Sequence, residues 1–285
     1  MFKLTTIEDW LAQSEGEVPN LREGCEKRIV WAGHPAEKTA MSVVFIHGFS
    51  ASSGELWPLP DLVAKGLGSN LFYTRLRGHG QNGTAMGDAT LAQWQEDVTE
   101  ALEIANTVGD EVLVIACSTG CTLATLALAG GAQVIGLVQI SPNYGLAHRV
   151  VQFLLDLPLS EKWAPLIAGK TRSFPVKNKA HAQFWTTSYP SKAAHPMARA
   201  VRAARRADLG RVMVPTLACV NQADQVVQAA STGTTLMRWG GDVTRLPLIQ
   251  TADDDPMGHI MAGDVFSPNQ TGPLAKRITD WAKRL

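Results

Sequence analysis

In the stretch VLVIACSTGCTLAT, Val112 to Thr125, an apolar run stops at Ser118 and small residues carry the chain onward. A serine hydroxyl is a weak nucleophile until a base removes its proton, and the base works best when an acid fixes its tautomer and stabilises the charged imidazole. Two later residues have the right types. His259 stands in DDDPMGH, after the last β-prone run, and Asp224 follows the apolar VMVPTLACVNQA. Earlier, in FIHGFSAS, Gly48 permits a close backbone turn, so that the Phe49 amide could face the serine. With the Thr119 amide it would supply two donors to a developing oxyanion. The chemistry on offer is attack of the Ser118 hydroxyl on a carbonyl, with the proton passing through His259.

Such groups need a rigid frame, and the intervening segments supply one. EKRIVWAG and MSVVFIHG are short β-prone runs ended by glycine, with the polar HPAEKTA between them as a loop or hairpin connection. NLFYTRLRGHG, EVLVIACS, VIGLVQISP, RVMVPTLACVNQADQVV and GDVTRLPLIQ add further strands. Helical spacing runs through Leu91, Trp94, Val98, Leu102 and Ile104, and TGCTLATLALAG reads as the helix after Ser118. SPNQTGPLAKRITDWAKRL ends the chain as a helix, with Ser267 as N-cap and Pro268 in the first turn. Alternating strands and helices predict an α/β fold with a mostly parallel central sheet flanked by helices.

After Pro142 the rhythm changes. Residues 144–209 are read as a mainly helical lid inserted into a core of residues 1–143 and 210–285. Within it, Phe153, Leu154, Leu155, Trp163, Leu166, Phe184 and Trp185 could wall an acyl pocket or pack the lid onto the sheet.

With 285 residues and 45% hydrophobic composition, the chain can bury a core without disulfide staples. Lys plus Arg and Asp plus Glu both total 26, so no net field steers the protein to nucleic acid or an anionic membrane. Cys25, Cys117, Cys121 and Cys219 lack a paired zinc-binding spacing and read as reduced thiols. The opening MFKLTTIEDWLAQSEGEVPNL has no apolar run of signal or spanning length, so a cytoplasmic protein without a stable membrane span is expected. HGFSASSG lacks the full phosphate-loop pattern, and no dinucleotide fingerprint follows a suitable strand. No cofactor and no metal are expected.

HGF, RLRGHG, ACSTG, the loop around Asp224 and the loop containing His259 occur in an order that resembles the α/β-hydrolase superfamily. The likeness is strongest to lidded serine carboxylesterases and monoacylglycerol-lipase-like proteins. The resemblance implies a triad of Ser118, Asp224 and His259, with Phe49 and Thr119 donating the oxyanion amides. It further implies cleavage of carboxylic esters to acid plus alcohol through an acyl-enzyme, on small to medium acyl chains or monoacylglycerols. Small-molecule or lipid esters would then be the binding partners.

Some alternatives stay open. Ala116 stands where the family spelling has glycine, and Asp253, Asp254 and Asp255 precede His259 closely enough to rival Asp224 as its orienting acid. Thioester, amide, lactone or carbon-carbon bond hydrolysis can use related machinery, and a non-catalytic binding protein can keep the same fold. His47 reads as shaping the turn before Phe49, Arg77 and His79 as tying loops together, and Cys117 and Cys121 as structural.

Overall fold

The computed structural model describes residues 2–157 and 169–285. In chain order its strands are β1 (Arg28–Val30), β2 (Thr39–Ile46), β3 (Asn70–Tyr73), β4 (Gly109–Cys117), β5 (Gly136–Ile140), β6 (Thr171–Ser173), β7 (Ser188–Pro190), β8 (Thr216–Val220) and β9 (Val243–Pro247). All but β6 and β7 join one seven-stranded sheet, in the order β1-β3-β2-β4-β5-β8-β9. Only the edge strand β1 is antiparallel to its neighbour. Each strand of this sheet overlaps one of the seven β-prone runs, β2 and β4 beginning two residues before theirs, so the expected α/β-hydrolase architecture is the one observed.

The alternation along β2 and β4 explains why the sheet is covered on both faces. Val44, Ile46, Val112, Val114 and Ala116 enter one apolar cluster, whereas Val43, Phe45, Leu113, Ile115 and Cys117 enter the other. Helices α1 (Ile7–Gly16), α2 (Leu59–Leu67), α3 (Gly83–Asp88), α4 (Leu91–Val108) and α5 (Thr119–Ala129) precede β5. α4 and α5 cover the first face, while α2 and the terminal helix Pro268–Ala282 cover the second. Both strands carry exposed residues only within their first three positions and are buried from Ser42 and Val112 onward. Those buried ends deliver Gly48 and Ser118.

The N-terminal helix α1 lies outside the strands and helices expected from the sequence pattern. It buries Ile7 and Leu11, and its Glu15 forms a two-bonded ion pair with Arg75 at 2.7 Å while accepting the Lys27 amide at 2.8 Å. Burial alone would raise the Glu15 pKa, but Arg75 and Lys27 outweigh it and hold the carboxyl below its ordinary value.

Between β5 and β8 lie α6 (Arg149–Asp156), the short antiparallel β6–β7 hairpin, and helices Lys179–Phe184 and Ala194–Arg206. The last of these packs on α5 and α4, with Met197 and Ala200 inside the first apolar cluster. That part of the 144–209 segment therefore helps build the main core. Trp163, Leu166 and the Leu155 side chain lie outside the described residues. Among the described residues, no helix is long and apolar enough to cross a membrane.

The terminal helix begins after Ser267 with Pro268 in its first turn, as expected, but the Ser267 side chain does not cap it. Its hydroxyl donates to the Ile260 carbonyl at 2.5 Å and accepts the Asp255 amide and the Gln250 side-chain amide, each at 3.1 Å. The loop carrying His259 folds back over the helix start and takes the hydroxyl that a cap would have used.

Candidate active site

Ser118 occupies the one-residue corner between β4 and α5, at φ 50° and ψ −113°. A non-glycine residue held in such a sparsely populated region costs about 1–3 kcal/mol, so the surroundings must enforce it. The Ser118 amide donates to the Ile140 carbonyl at 2.9 Å, and its own carbonyl accepts the amides of Cys121 at 3.1 Å and Asn143 at 3.2 Å. These bonds tie the corner to β5 and to the first turn of α5.

The two ends of ACSTG differ sharply in what they tolerate. A Cβ on Gly120 would lie 2.2 Å from the Ile46 carbonyl oxygen and 2.8 Å from that of His47, so only glycine lets α5 approach β2 this closely. Ala116 is a strand residue whose methyl sits in the apolar cluster of its face, and the family glycine is not needed there. Gly120→Ala is accordingly expected to lose about 3 kcal/mol by overpacking. Gly272→Ala, where a Cβ meets nothing within 4 Å in the terminal helix, should instead gain roughly 0.5–1 kcal/mol from helix propensity. Urea midpoints of the two variants check the contrast.

His259 Nε2 lies 3.1 Å from Ser118 Oγ, and His259 Nδ1 lies 2.8 Å from Asp224 Oδ2. Three residues far apart in sequence thus form one hydrogen-bonded series. The other Asp224 oxygen accepts the amides of Val226 at 2.7 Å and Val227 at 2.9 Å, which fixes the carboxylate plane. Its loop is joined to that of His259 by the Gln225 amide on the Met257 carbonyl at 2.9 Å and the Asn221 side-chain amide on the Gly258 carbonyl at 2.9 Å. Ser141 donates to the His259 carbonyl and anchors the same loop to the end of β5.

The neighbouring carboxylates do other work. Asp255 Oδ2 accepts the amides of His259 at 2.9 Å and Ile260 at 2.8 Å, so it shapes the loop through its backbone. Asp254 is occupied by the Thr251 amide and hydroxyl and by Gln270, and Asp253 is exposed. Among the described residues, Asp224 is the carboxylate in hydrogen-bond contact with the imidazole. Burial disfavours the His259 imidazolium, but the Asp224 hydrogen bond and charge, with Glu55 and Asp255 behind them, outweigh it. The His259 pKa is raised above its ordinary 6.5.

Phe49 follows Gly48 at the end of β2, and Thr119 is the first residue of α5, where helical amides lack an intrahelical acceptor. Among the described residues, neither amide has a protein acceptor. His47 is buried, accepts the Leu76 amide at 3.1 Å and lies 2.9 Å from the Gly48 carbonyl through Nδ1. Burial lowers its pKa to about 4, which leaves a neutral ring suited to bracing the turn. Arg77 ties its loop to α4 by ion pairs to Glu96 at 2.8 Å and Asp97 at 3.0 Å, and His79 lies between His47, in a tilted ring contact, and Trp94, in an edge-on one. Cys117 and Cys121 are buried, and burial pushes both thiols well up.

A cavity of about 870 Å³ opens onto Ser118, Thr119, Phe49 and His259. Its walls are mainly apolar, with Leu146, Val151, Leu154, Phe174, Trp185 and Tyr189 supplied by the segment after β5. Of the wall residues considered from sequence, Leu154 and Trp185 line it. Phe153 is 63% exposed, and Phe184 packs against Gly54 behind the cavity.

Sequence reasoning missed Glu55. This buried glutamate lines the same cavity, and its Oε2 accepts the Gly48 amide at 2.6 Å. In SASSGELW it resembles any loop carboxylate, and only the apolar residues that follow hint at burial.

Residues 43–267 match the family model of the alpha/beta hydrolase family, and the chain belongs to that family. Among solved structures, the one reported for LipS and LipT, two metagenome-derived lipolytic enzymes, superposes with a TM-score of 0.73 at 17% identity, covering 93% of this chain and 100% of its own. The monoacylglycerol lipase of Paleococcus ferrophilus gives 0.64 at 14% identity, over 90% of this chain and 96% of the other. A soluble variant of monoglyceride lipase from Saccharomyces cerevisiae, in complex with a substrate analog, gives 0.67 at 11% identity and 91% of each chain. No curated protein sequence matches the chain.

Proposed function

We propose that the protein is a serine-dependent carboxylic ester hydrolase working through a covalent acyl-enzyme. The observation that carries this reading is the series from Ser118 Oγ through His259 to Asp224, at 3.1 and 2.8 Å, facing a mainly apolar cavity. A non-catalytic role on the same fold would leave the serine out of reach of the imidazole, and this spacing speaks against it.

His259 Nε2 takes the Ser118 proton as Oγ attacks the ester carbonyl. The Phe49 and Thr119 amides hold the resulting oxyanion, each such donor stabilising the transition state by about 3 kcal/mol. The imidazolium, stabilised by Asp224, then gives its proton to the departing alcohol. In the second half, His259 activates a water that attacks the acyl carbon and frees the acid and Ser118.

The apolar walls favour an acyl chain of small to medium length. Monoacylglycerols are the narrower candidate, in line with the lipases of similar fold. Residues 144–209 act as the lid over the core of 1–143 and 210–285, with Leu154 and Trp185 on the acyl side and the helix Ala194–Arg206 anchoring the segment in the main core.

Because His259 must be neutral to accept the proton, kcat/KM should fall as pH drops through its pKa. That pKa is raised by Asp224, so the acid limb should lie above 6.5, the value of an ordinary histidine. A pH-rate profile on an ester that is itself stable over the range checks the position. A product-resolved screen of esters, thioesters, amides and monoacylglycerols, with Ser118→Ala as control, tests the reaction class. Selective turnover of thioesters or amides with poor ester turnover would move the assignment to those bonds.

A further inference from the structure

We infer that Glu55 is a positioning residue of this site: its carboxylate fixes the Gly48–Phe49 turn through the Gly48 amide and sets a further negative charge on the cavity that His259 also lines. The inference rests on the serine-hydrolase reading above.

Glu55 closes the short 3-10 turn Ser53–Glu55 and is 2% exposed, yet it lines the cavity. Its Oε2 accepts the Gly48 amide at 2.6 Å, a charge-assisted bond one residue before the Phe49 amide. A methyl built on Gly48 would meet Glu55 Oε1 at 2.6 Å and Ser118 Cβ at 3.1 Å. Carboxyl, turn and nucleophile thus share one narrow gap. Moving the carboxylate would release the Gly48 peptide and with it the direction in which the Phe49 N–H points.

The charge has a separate consequence. Burial raises the Glu55 pKa to about 7, against the pull of the Gly48 amide, His259 and Cys117. The titratable groups around it are His259, the Cys117 thiol at the end of β4 and the Cys121 thiol in α5; both thiols are pushed well up by burial and by Glu55 itself. They stay neutral in the working range, so His259 is the neighbour with which Glu55 exchanges charge. Asp224, on the ring through Nδ1, and Asp255, on the backbone amide, add their negative charge at His259. Anionic Glu55 therefore favours the imidazolium that forms when Ser118 loses its proton.

Two variants separate the functions. Glu55→Gln keeps an acceptor for the Gly48 amide and removes the charge, whereas Glu55→Leu removes both. Each is measured as kcat and KM across pH on a p-nitrophenyl ester, with the rate of phosphonate labelling at Ser118 read in parallel. Glu55→Gln should keep kcat within about tenfold and move the acid limb of kcat/KM to lower pH by roughly half a unit or more, the scale of one lost opposite charge. Glu55→Leu should lose about 10²-fold in kcat, the effect of one misplaced oxyanion donor, with KM changed little. An acid limb of Glu55→Gln that superimposes on the wild type overturns the inference, whether or not Glu55→Leu folds. So does a folded Glu55→Leu with wild-type kcat. A wild-type protein that neither turns over esters nor labels at Ser118 would instead remove the serine-hydrolase reading itself.

Discussion

Ser118→Ala is expected to lower kcat for ester hydrolysis by roughly 10⁶-fold, the scale seen when a serine nucleophile is removed from such machinery. The loss should fall on kcat, because the cavity and the Phe49 and Thr119 amides remain to bind the ester. Alanine meets the same φ of 50° as serine, and among the described residues the hydroxyl bonds only to His259, so the fold should be retained. Progress curves with purified variant, at enzyme concentrations high enough to resolve the residual rate, give the ratio. A variant that retains more than about a hundredth of the activity would mean that another group attacks the carbonyl.

Asp224→Asn should cost roughly 10⁴-fold in kcat, and its geometry says why. Asp224 Oδ1 accepts the Val226 and Val227 amides at 2.7 and 2.9 Å, so an asparagine carbonyl oxygen will take that position. Its NH₂ then faces His259 Nδ1, which must become the acceptor. The ring proton moves to Nε2, where it points at Ser118 Oγ and blocks proton transfer. The same change removes the charge that raises the His259 pKa, so any residual activity should show an acid limb at lower pH. Asp255→Asn perturbs backbone contacts of the loop and leaves the tautomer alone, and should therefore cost far less in kcat. Comparable losses in the two variants would undo the distinction drawn between these carboxylates.

Much of this was legible in the sequence. Strands buried on both faces must read as apolar runs, and a parallel sheet must return them at regular intervals, so MSVVFIHG and EVLVIACS announce their elements and the glycine or serine at their ends. Ser118, Asp224 and His259 gain meaning from their place after β4, β8 and β9. Pattern could not choose between Asp224 and the aspartates at 253–255, because that choice depends on which carboxylates are already taken by backbone amides. Ser267 stands at the expected cap position, but its hydroxyl is claimed by a loop that returns from elsewhere, which the local pattern does not show. Phe153 belongs to an amphipathic helix whose apolar residues do not all turn inward. In α1, Ile7, Leu11 and Glu15 stand four apart on one face, but the segment is short and polar and only two of the three are apolar, so the spacing announces the helix weakly. Glu55 is hidden more deeply, since beyond the apolar residues that follow it nothing local distinguishes a carboxylate bound to a turn from one in water.

The account turns on Ser118 as the nucleophile, and covalent labelling tests that most directly. A serine-reactive fluorophosphonate, followed by intact mass and peptide mapping, should place one adduct per chain on Ser118, slowed in Asp224→Asn and absent in Ser118→Ala. An adduct on another residue, or equal labelling of Ser118→Ala, would contradict it.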